Sequence, residues 1–207
     1  MKQVQDHYYK KAKQDGYQAR SAYKLEEVQA KNKILEKGYK VLDLGCYPGS
    51  WMQYISKLIG PKGLVLGVDR TLLTMGLQPN MKYLQADILE LDLNQLKEFA
   101  PYWDVVVSDM APNTTGNRIV DSEGSWNVCA MAMDAAQLFL KTGGSCLVKS
   151  LQGVAQERLI MRMRAEYSKV KTVKPDSSRS ESKEVFVLGQ GKKPVVQESQ
   201  DQQESLD

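Results

Sequence analysis

The stretch Val41-Leu42-Asp43-Leu44-Gly45-Cys46-Tyr47-Pro48-Gly49-Ser50-Trp51 decides the fold. A short apolar run ends in a glycine-containing turn, and the helical pattern of residues 51–59 follows it. This is a strand feeding a helix through a tight turn, the opening of a βαβ unit. Gly45 and Gly49 permit that turn and let a ligand approach the backbone closely. The loop is not G-x-G-x-x-G and lacks the lysine of a phosphate-cradling loop, which argues against a dinucleotide dehydrogenase and against an NTPase. Taken alone, it also reads as an ordinary strand-to-helix turn.

The same alternation continues downstream. Apolar runs at 64–69, 81–85, 104–109 and 145–149 read as further strands, and 169–173 and 185–188 as two late ones. Helical patterns lie near 51–59, 92–99, 122–141 and 154–166. Another helix begins near Ser21, carrying Ala22, Leu25 and Val28 at helical spacing. The second, fourth and fifth strands are continuously apolar rather than alternating, so both their faces are expected to be covered by helices. The fold class is therefore α/β, a doubly wound, mostly parallel sheet.

In such sheets ligands bind outside the carboxyl ends of the strands. Gly45, Asp69, Asp87, Asp109 and Lys149 fall there. Asp69 ends the second strand, where a carboxylate accepts both hydroxyls of a ribose, and Asp87 is placed to accept from an adenine amino group. Each acid alone also reads as a helix cap or a solvated loop residue. Beside the glycine loop the pair points to a bound nucleoside.

At 207 residues the chain fits one domain. No apolar run approaches the roughly 20 residues that span a bilayer, so no membrane association is expected. Residues 1–7 have no apolar signal-peptide core, which makes a cytoplasmic location the expectation. Cys46, Cys129 and Cys146 are then free thiols, and with His7 the only histidine and no C-x-x-C, no structural metal is expected. The net charge of +3 is modest but unevenly spread. Residues 1–24 carry Lys2, Lys10, Lys11, Lys13, Arg20 and Lys24 against Asp6 and Asp15. Residues 157–183 carry eight Lys or Arg, including Arg158, Arg162, Lys174 and Arg179, against four acids. Such runs are either solvated faces or contacts to nucleic-acid phosphates. From Val195 onward the charged residues are all acidic, in a Gln- and Ser-rich tail too poor in apolar groups to offset the cost of ordering.

Five motifs form an ordered set: Ala19-Arg20-Ser21-Ala22-Tyr23-Lys24-Leu25, Asp109-Met110-Ala111-Pro112-Asn113, Leu147-Val148-Lys149, Lys174-Pro175-Asp176-Ser177-Ser178-Arg179 and Ser182-Lys183-Glu184-Val185-Phe186. Over about residues 10–190 the chain closely resembles the RrmJ/FtsJ family of ribosomal RNA 2'-O-methyltransferases. The resemblance implies a Rossmann-like class I methyltransferase with a seven-stranded sheet, one strand antiparallel, and helices on both faces. It implies S-adenosyl-L-methionine as cofactor, held by Gly45, Gly49, Trp51, Asp69, Asp87 and Asp109, and a catalytic tetrad of Lys24, Asp109, Lys149 and Glu184. Residues 1–20 are then a basic N-terminal arm, 21–192 the methyltransferase domain and 193–207 a disordered acidic tail.

The implied substrate is a ribose, a uridine, in large-subunit ribosomal RNA, modified within the large ribosomal subunit by a monomeric enzyme. Family relatives that modify transfer RNA, and a catalytically silent ribosome-assembly factor on the same fold, are the alternatives. Lys149 is the candidate base for the 2'-hydroxyl proton; a strand-end lysine that merely reaches solvent is the plainer reading of that residue alone. Tyr23, Trp126 and Phe186 read as packing residues. The chain departs from the family pattern at Cys46 and Tyr47, where small residues are usual, at Ser50, where a glycine is, and at Phe186, where a tyrosine is common. Tyr47 is expected to narrow or cover the methionine side of the pocket.

Overall fold

The computed structural model describes residues 2–112, 115–178 and 182–194, with residues 2–6 as helix backbone only. Asn113 and Arg179 of the quoted motifs, and the acidic tail from Val195, lie outside the described residues.

Seven strands form one sheet: β1 (Lys40–Leu44), β2 (Leu64–Asp69), β3 (Met81–Gln85), β4 (Trp103–Ser108), β5 (Leu140–Leu151), β6 (Tyr167–Val173) and β7 (Glu184–Lys192). Their spatial order is β3-β2-β1-β4-β5-β7-β6. Only β7 runs antiparallel, inserted between β5 and β6. The order reverses between β1 and β4, which makes the carboxyl ends of those two strands the ligand crevice.

Alternation along each central strand builds two cores, one on each face of the sheet. Val41, Val65, Val105, Val107 and Leu147 point to the face covered by α2 (Ala22–Asn32) and α3 (Ser50–Ile59). Leu42, Leu66, Val106, Cys146 and Val148 point to the opposite face, under α4 (Arg118–Phe139) and α5 (Val154–Glu166). The continuous hydrophobicity of these strands thus comes from burial on both sides. On α3, Trp51, Met52, Ile55 and Ile59 form the buried stripe, and the helix stops at Gly60 in a positive-φ conformation.

Three elements differ from the expectation. Residues 2–14 of the basic N-terminal segment form a helix, α1 (Lys2–Gln14). Among its described side chains it is held chiefly by buried Ala12 and by the Tyr8 ring, 5.6 Å from that of Tyr23, so no apolar periodicity announces it. The 92–99 pattern becomes a single 3-10 helix, Leu93–Glu98, whose start is capped by the Asp92 carboxylate accepting from Asn94 N. Strand β5 begins five residues before the expected 145, because α4 ends at Phe139 and the chain turns directly into extended backbone at Leu140. Among the described residues no helix is long and apolar enough to cross a membrane.

Candidate active site

Gly45 follows β1 with φ +76, a conformation that favours glycine, and a Cβ there would lie 2.5 Å from Cγ of Met110. The β1 turn and the segment after β4 are therefore packed backbone to side chain across the crevice. A cleft of about 420 Å³ opens beside them, lined among others by Gly45, Tyr47, Asp69, Asp87, Asp109 and Met110. That size suits a nucleoside-sized ligand.

The two carboxylates of the cleft are already oriented by backbone. Asp69 accepts Tyr47 N at 2.9 Å on one oxygen and Thr71 N at 2.8 Å on the other. Asp87 accepts Leu89 N at 3.0 Å and stands 4.0 Å from the Arg70 guanidinium. Each oxygen keeps a lone pair for a ligand hydroxyl or amino group. Tyr47 is half exposed on the cleft wall and its ring is not packed into the core.

Gly49 and Trp51 do not line this cleft. Gly49, at φ +102, begins α3 and packs against Met75 and Leu73 of the loop after β2. Trp51 is buried, donates its indole N–H to Ser21 O at 2.7 Å and lies 5.7 Å, ring to ring, from Phe186. Together with a 2.7 Å hydrogen bond between the Ser21 and Ser50 hydroxyls, it ties the start of α2 to the start of α3. Its place in this structure is to position α2, which carries Lys24.

Lys24, Asp109, Lys149 and Glu184 converge beside the cleft. Parallel pairing of Ser108 with Val148 sets Asp109, just past β4, alongside Lys149 on β5. Antiparallel pairing of Leu151 with Glu184 makes Lys149 and Glu184 diagonal neighbours on one sheet face. Lys149 Nζ donates to Asp109 O at 2.5 Å and stands 3.0 Å from Asp109 Oδ1 and 3.6 Å from Glu184 Oε1. The Oδ1 contact is ionic in character, since that oxygen accepts no well-formed hydrogen bond. Lys24 Nζ lies 3.5 Å from the other Glu184 oxygen and 5.8 Å from the Phe186 ring centroid. Burial alone would raise the Glu184 carboxyl, but the Lys149 and Lys24 ammonium groups and a hydrogen bond from Ser182 outweigh it and hold it below the usual carboxylate range. From the other side, α4 clamps the end of β5: Cys129 Sγ donates to Lys149 O at 3.2 Å, and Leu151 N donates to Ser125 Oγ at 3.1 Å. Tyr23 and Phe186 are buried packing residues as expected, while Trp126 is partly buried under the Arg158 guanidinium, 4.3 Å from its ring centroid.

Sequence reasoning passed over Asp43. It is fully buried in β1 and neither carboxylate oxygen has a hydrogen-bond partner. Burial first, then the Asp109 and Asp69 charges, push its carboxyl well above the usual range. The available signal was an acid inside the apolar run Val41–Leu44, a placement that is costly without a ligand or proton. S-adenosylmethionine fits this set of groups. The Asp69 and Asp87 carboxylates suit its ribose and adenine, and the Gly45 turn leaves room for it.

The FtsJ-like methyltransferase family model matches residues 17–192. The chain belongs to the FtsJ-like methyltransferase family. Its similarity to other family members is extensive. A protein of Bdellovibrio bacteriovorus named ribosomal RNA large subunit methyltransferase E is 47% identical over 191 residues, covering 91% of this chain and 97% of that protein. The protein of the same name from Oleidesulfovibrio alaskensis is 43% identical over 207 residues, 99% of this chain and 100% of that one. Among solved structures, a ribosomal RNA methyltransferase from Plasmodium falciparum superposes with TM-score 0.73 at 28% identity, over 85% of this chain and 98% of that one. Aeropyrum pernix fibrillarin, at 18% identity and TM-score 0.57 over 82% of this chain and 76% of that one, shares the fold. The doubly wound sheet of this FtsJ-like protein is thus the Rossmann-like class I methyltransferase fold.

Proposed function

We propose that this FtsJ-like protein is a cytoplasmic S-adenosylmethionine-dependent enzyme that methylates a ribose 2'-oxygen, at a uridine, in large-subunit ribosomal RNA. The observation that carries the reading is the convergence of two lysines and two carboxylates, each contact 3.6 Å or shorter, beside the Asp69–Asp87 cleft. The relatives named ribosomal RNA large subunit methyltransferase E support the choice of RNA.

When bound, S-adenosylmethionine supplies an electrophilic methyl group on a sulfonium. Asp69 would hold the ribose of that cofactor, Asp87 its adenine, and the Gly45 turn would border its methionine end. A ribose hydroxyl is a weak nucleophile, so it needs alignment and a group to take its proton. Lys149 Nζ, as the neutral amine, is that group and becomes the ammonium on taking the proton, and Asp109 and Glu184 fix it from two sides. Lys24, paired to Glu184, adds a second positive charge to the tetrad, which attracts the phosphate of the target nucleotide. The Lys and Arg residues of α1 and of 157–183 add backbone contacts that hold RNA without reading its sequence.

The test uses purified protein, methyl-labelled cofactor, and large ribosomal subunits, naked ribosomal RNA and transfer RNA in parallel. Label is expected in ribosomal RNA, within a dinucleotide that resists alkaline hydrolysis because its 2'-hydroxyl is blocked. Label in a base, in transfer RNA alone, or in no RNA overturns the reading. Lys149→Ala is expected to lower kcat by about 10²–10⁴-fold while cofactor affinity is retained. Undiminished turnover by that variant overturns the role of Lys149.

A further inference from the structure

Lys24 and Glu184 lie 160 positions apart in the chain, yet they meet at 3.5 Å. A single ion pair at 3.5 Å, with side chains 12% and 30% exposed, does not by itself fix the register of two whole elements. Something else must register α2 against the segment that leads into β7.

Glu27 sits one helical turn after Lys24 on α2, on the same face. Its carboxylate accepts Asp176 N at 2.6 Å on one oxygen and Ser177 N at 2.9 Å on the other. Those two N–H groups are the central donors of a turn closed by Ser178 N donating to Pro175 O at 3.0 Å. A turn leaves such donors without partners of their own, and a carboxylate spanning both is a charge-assisted, two-point clamp. Ser177 is 3% exposed, so the clamp is partly shielded from water. One turn further along α2, Lys31 stands 4.0 Å from the Asp176 carboxylate and adds a weaker, exposed contact.

The clamped turn connects to Glu184 through described contacts. Lys174 Nζ, next to the turn, donates to Ser182 O at 3.1 Å. The Ser182 hydroxyl accepts Glu184 N at 3.2 Å and lies 3.2 Å from Glu184 Oε2, the oxygen that faces Lys24. Gln152 N, just past β5, donates to Lys183 O at 2.8 Å. One carboxylate on the helix that carries Lys24 thus anchors the loop that delivers Glu184.

We infer that Glu27 is a positioning residue of the tetrad, which clamps the Pro175–Ser178 turn to α2 and so sets the distance of Glu184 from Lys24 and Lys149. It touches no reacting atom and acts through Glu184. The inference rests on the tetrad reading above and deepens it.

The experiment is a double-mutant cycle on the full chain, with single-turnover methylation of ribosomal RNA as the readout. Glu27→Ala is expected to slow methyl transfer about 10–100-fold, the scale of a misplacement near 1 Å. Cofactor Kd and the circular dichroism spectrum are expected to match wild type, and exposed Glu26→Gln to have no effect. In a Glu184→Ala background, Glu27→Ala is expected to cost less than about twofold, because the group it positions is already gone. Glu27→Gln keeps the size and one acceptor, and its rate is expected to fall between wild type and Glu27→Ala. This variant carries the same cycle if Glu27→Ala fails to fold. Equal losses in both backgrounds, or wild-type rates for the Glu27 variants, overturn the inference. A Glu184→Ala protein with wild-type rate overturns instead the tetrad on which it rests.

Discussion

Two carboxyl groups, Glu184 and Asp43, are pushed in opposite directions, and their opposite signs are measurable. Glu184 is held low by two ammonium groups, so its favourable contribution to stability is present at neutral pH and is lost as acid protonates it. Asp43 is held high by burial and by Asp109 and Asp69, so it costs stability once pH passes the unfolded carboxyl value of about 3.9, and costs nothing below it. Asp43→Asn keeps the shape and removes the titration. In urea denaturation it is expected to be more stable than wild type at pH 7 and to lose that advantage near pH 4. A variant less stable at both pH values would mean that Asp43 has a partner in the folded chain. At this scale much of the site was legible: Asp69, Asp87, Asp109 and Lys149 follow from strand ends alone, since a parallel sheet puts those ends in one crevice. Asp43 was not, because a strand residue's partners, or their absence, depend on the strands beside it. Gly49 and Trp51 show the converse, since a motif position identifies a residue without saying which wall of the site it supports.

Among the elements, α4 and β5 show how a helix end is secured without a glycine cap. The ammonium of Lys192, buried at the end of β7, donates to Ala136 O, Gln137 O and Leu140 O at 2.9, 2.7 and 2.7 Å. Carbonyls at a helix C-terminus have no partners within the helix, and a cation there also meets the negative end of the dipole. Lys192→Met keeps the aliphatic stem and orphans three acceptors. We expect a loss of about 2–3 kcal/mol, read as a melting temperature lower by roughly 4–12 °C. Methylation at low temperature should be little changed, because Lys192 lies at the end of β7 away from Glu184. An unchanged melting temperature would mean that water replaces the ammonium at no cost. Strands β1, β2 and β4 were readable because each is a short, largely apolar run with Gly, Pro or Asp close to its ends. Helix α1 was not, since a surface helix that buries Ala12 and one face of Tyr8 lacks the stripe by which helices are recognised. The helix near 92–99 was legible but its 3-10 type was not, since a single buried residue, Leu96, does not distinguish one helical period from another.

At the scale of the molecule, one sheet with a core on each face predicts a single cooperative unit. Leu66 is fully buried at the centre of the α4–α5 side, and Leu66→Ala is expected to cost about 2–5 kcal/mol. Circular dichroism, which follows helices on both faces, and fluorescence of Trp51, Trp103 and Trp126 are expected to give coincident unfolding curves for wild type and variant. Separate midpoints would mean that the two cores melt independently. The doubly wound class was legible from the alternation of strands and helices. The insertion of β7 between β5 and β6 was not legible from spacing, because pairing order depends on edges that only the assembled sheet has; the family resemblance supplied one antiparallel strand but not its place.

That insertion also sets the order in which the site comes into being during synthesis. Lys24 emerges from the ribosome early, Asp109 and Lys149 in the middle, and Glu184 with the strand that must slide between two others already made. A chain that stops before β7 lacks both Glu184 and the strand that joins β6 to β5, and in a sheet that folds as one unit it is expected to hold no stable cleft. The four side chains that meet beside the cleft are therefore brought together only when the last strand of the sheet is in place.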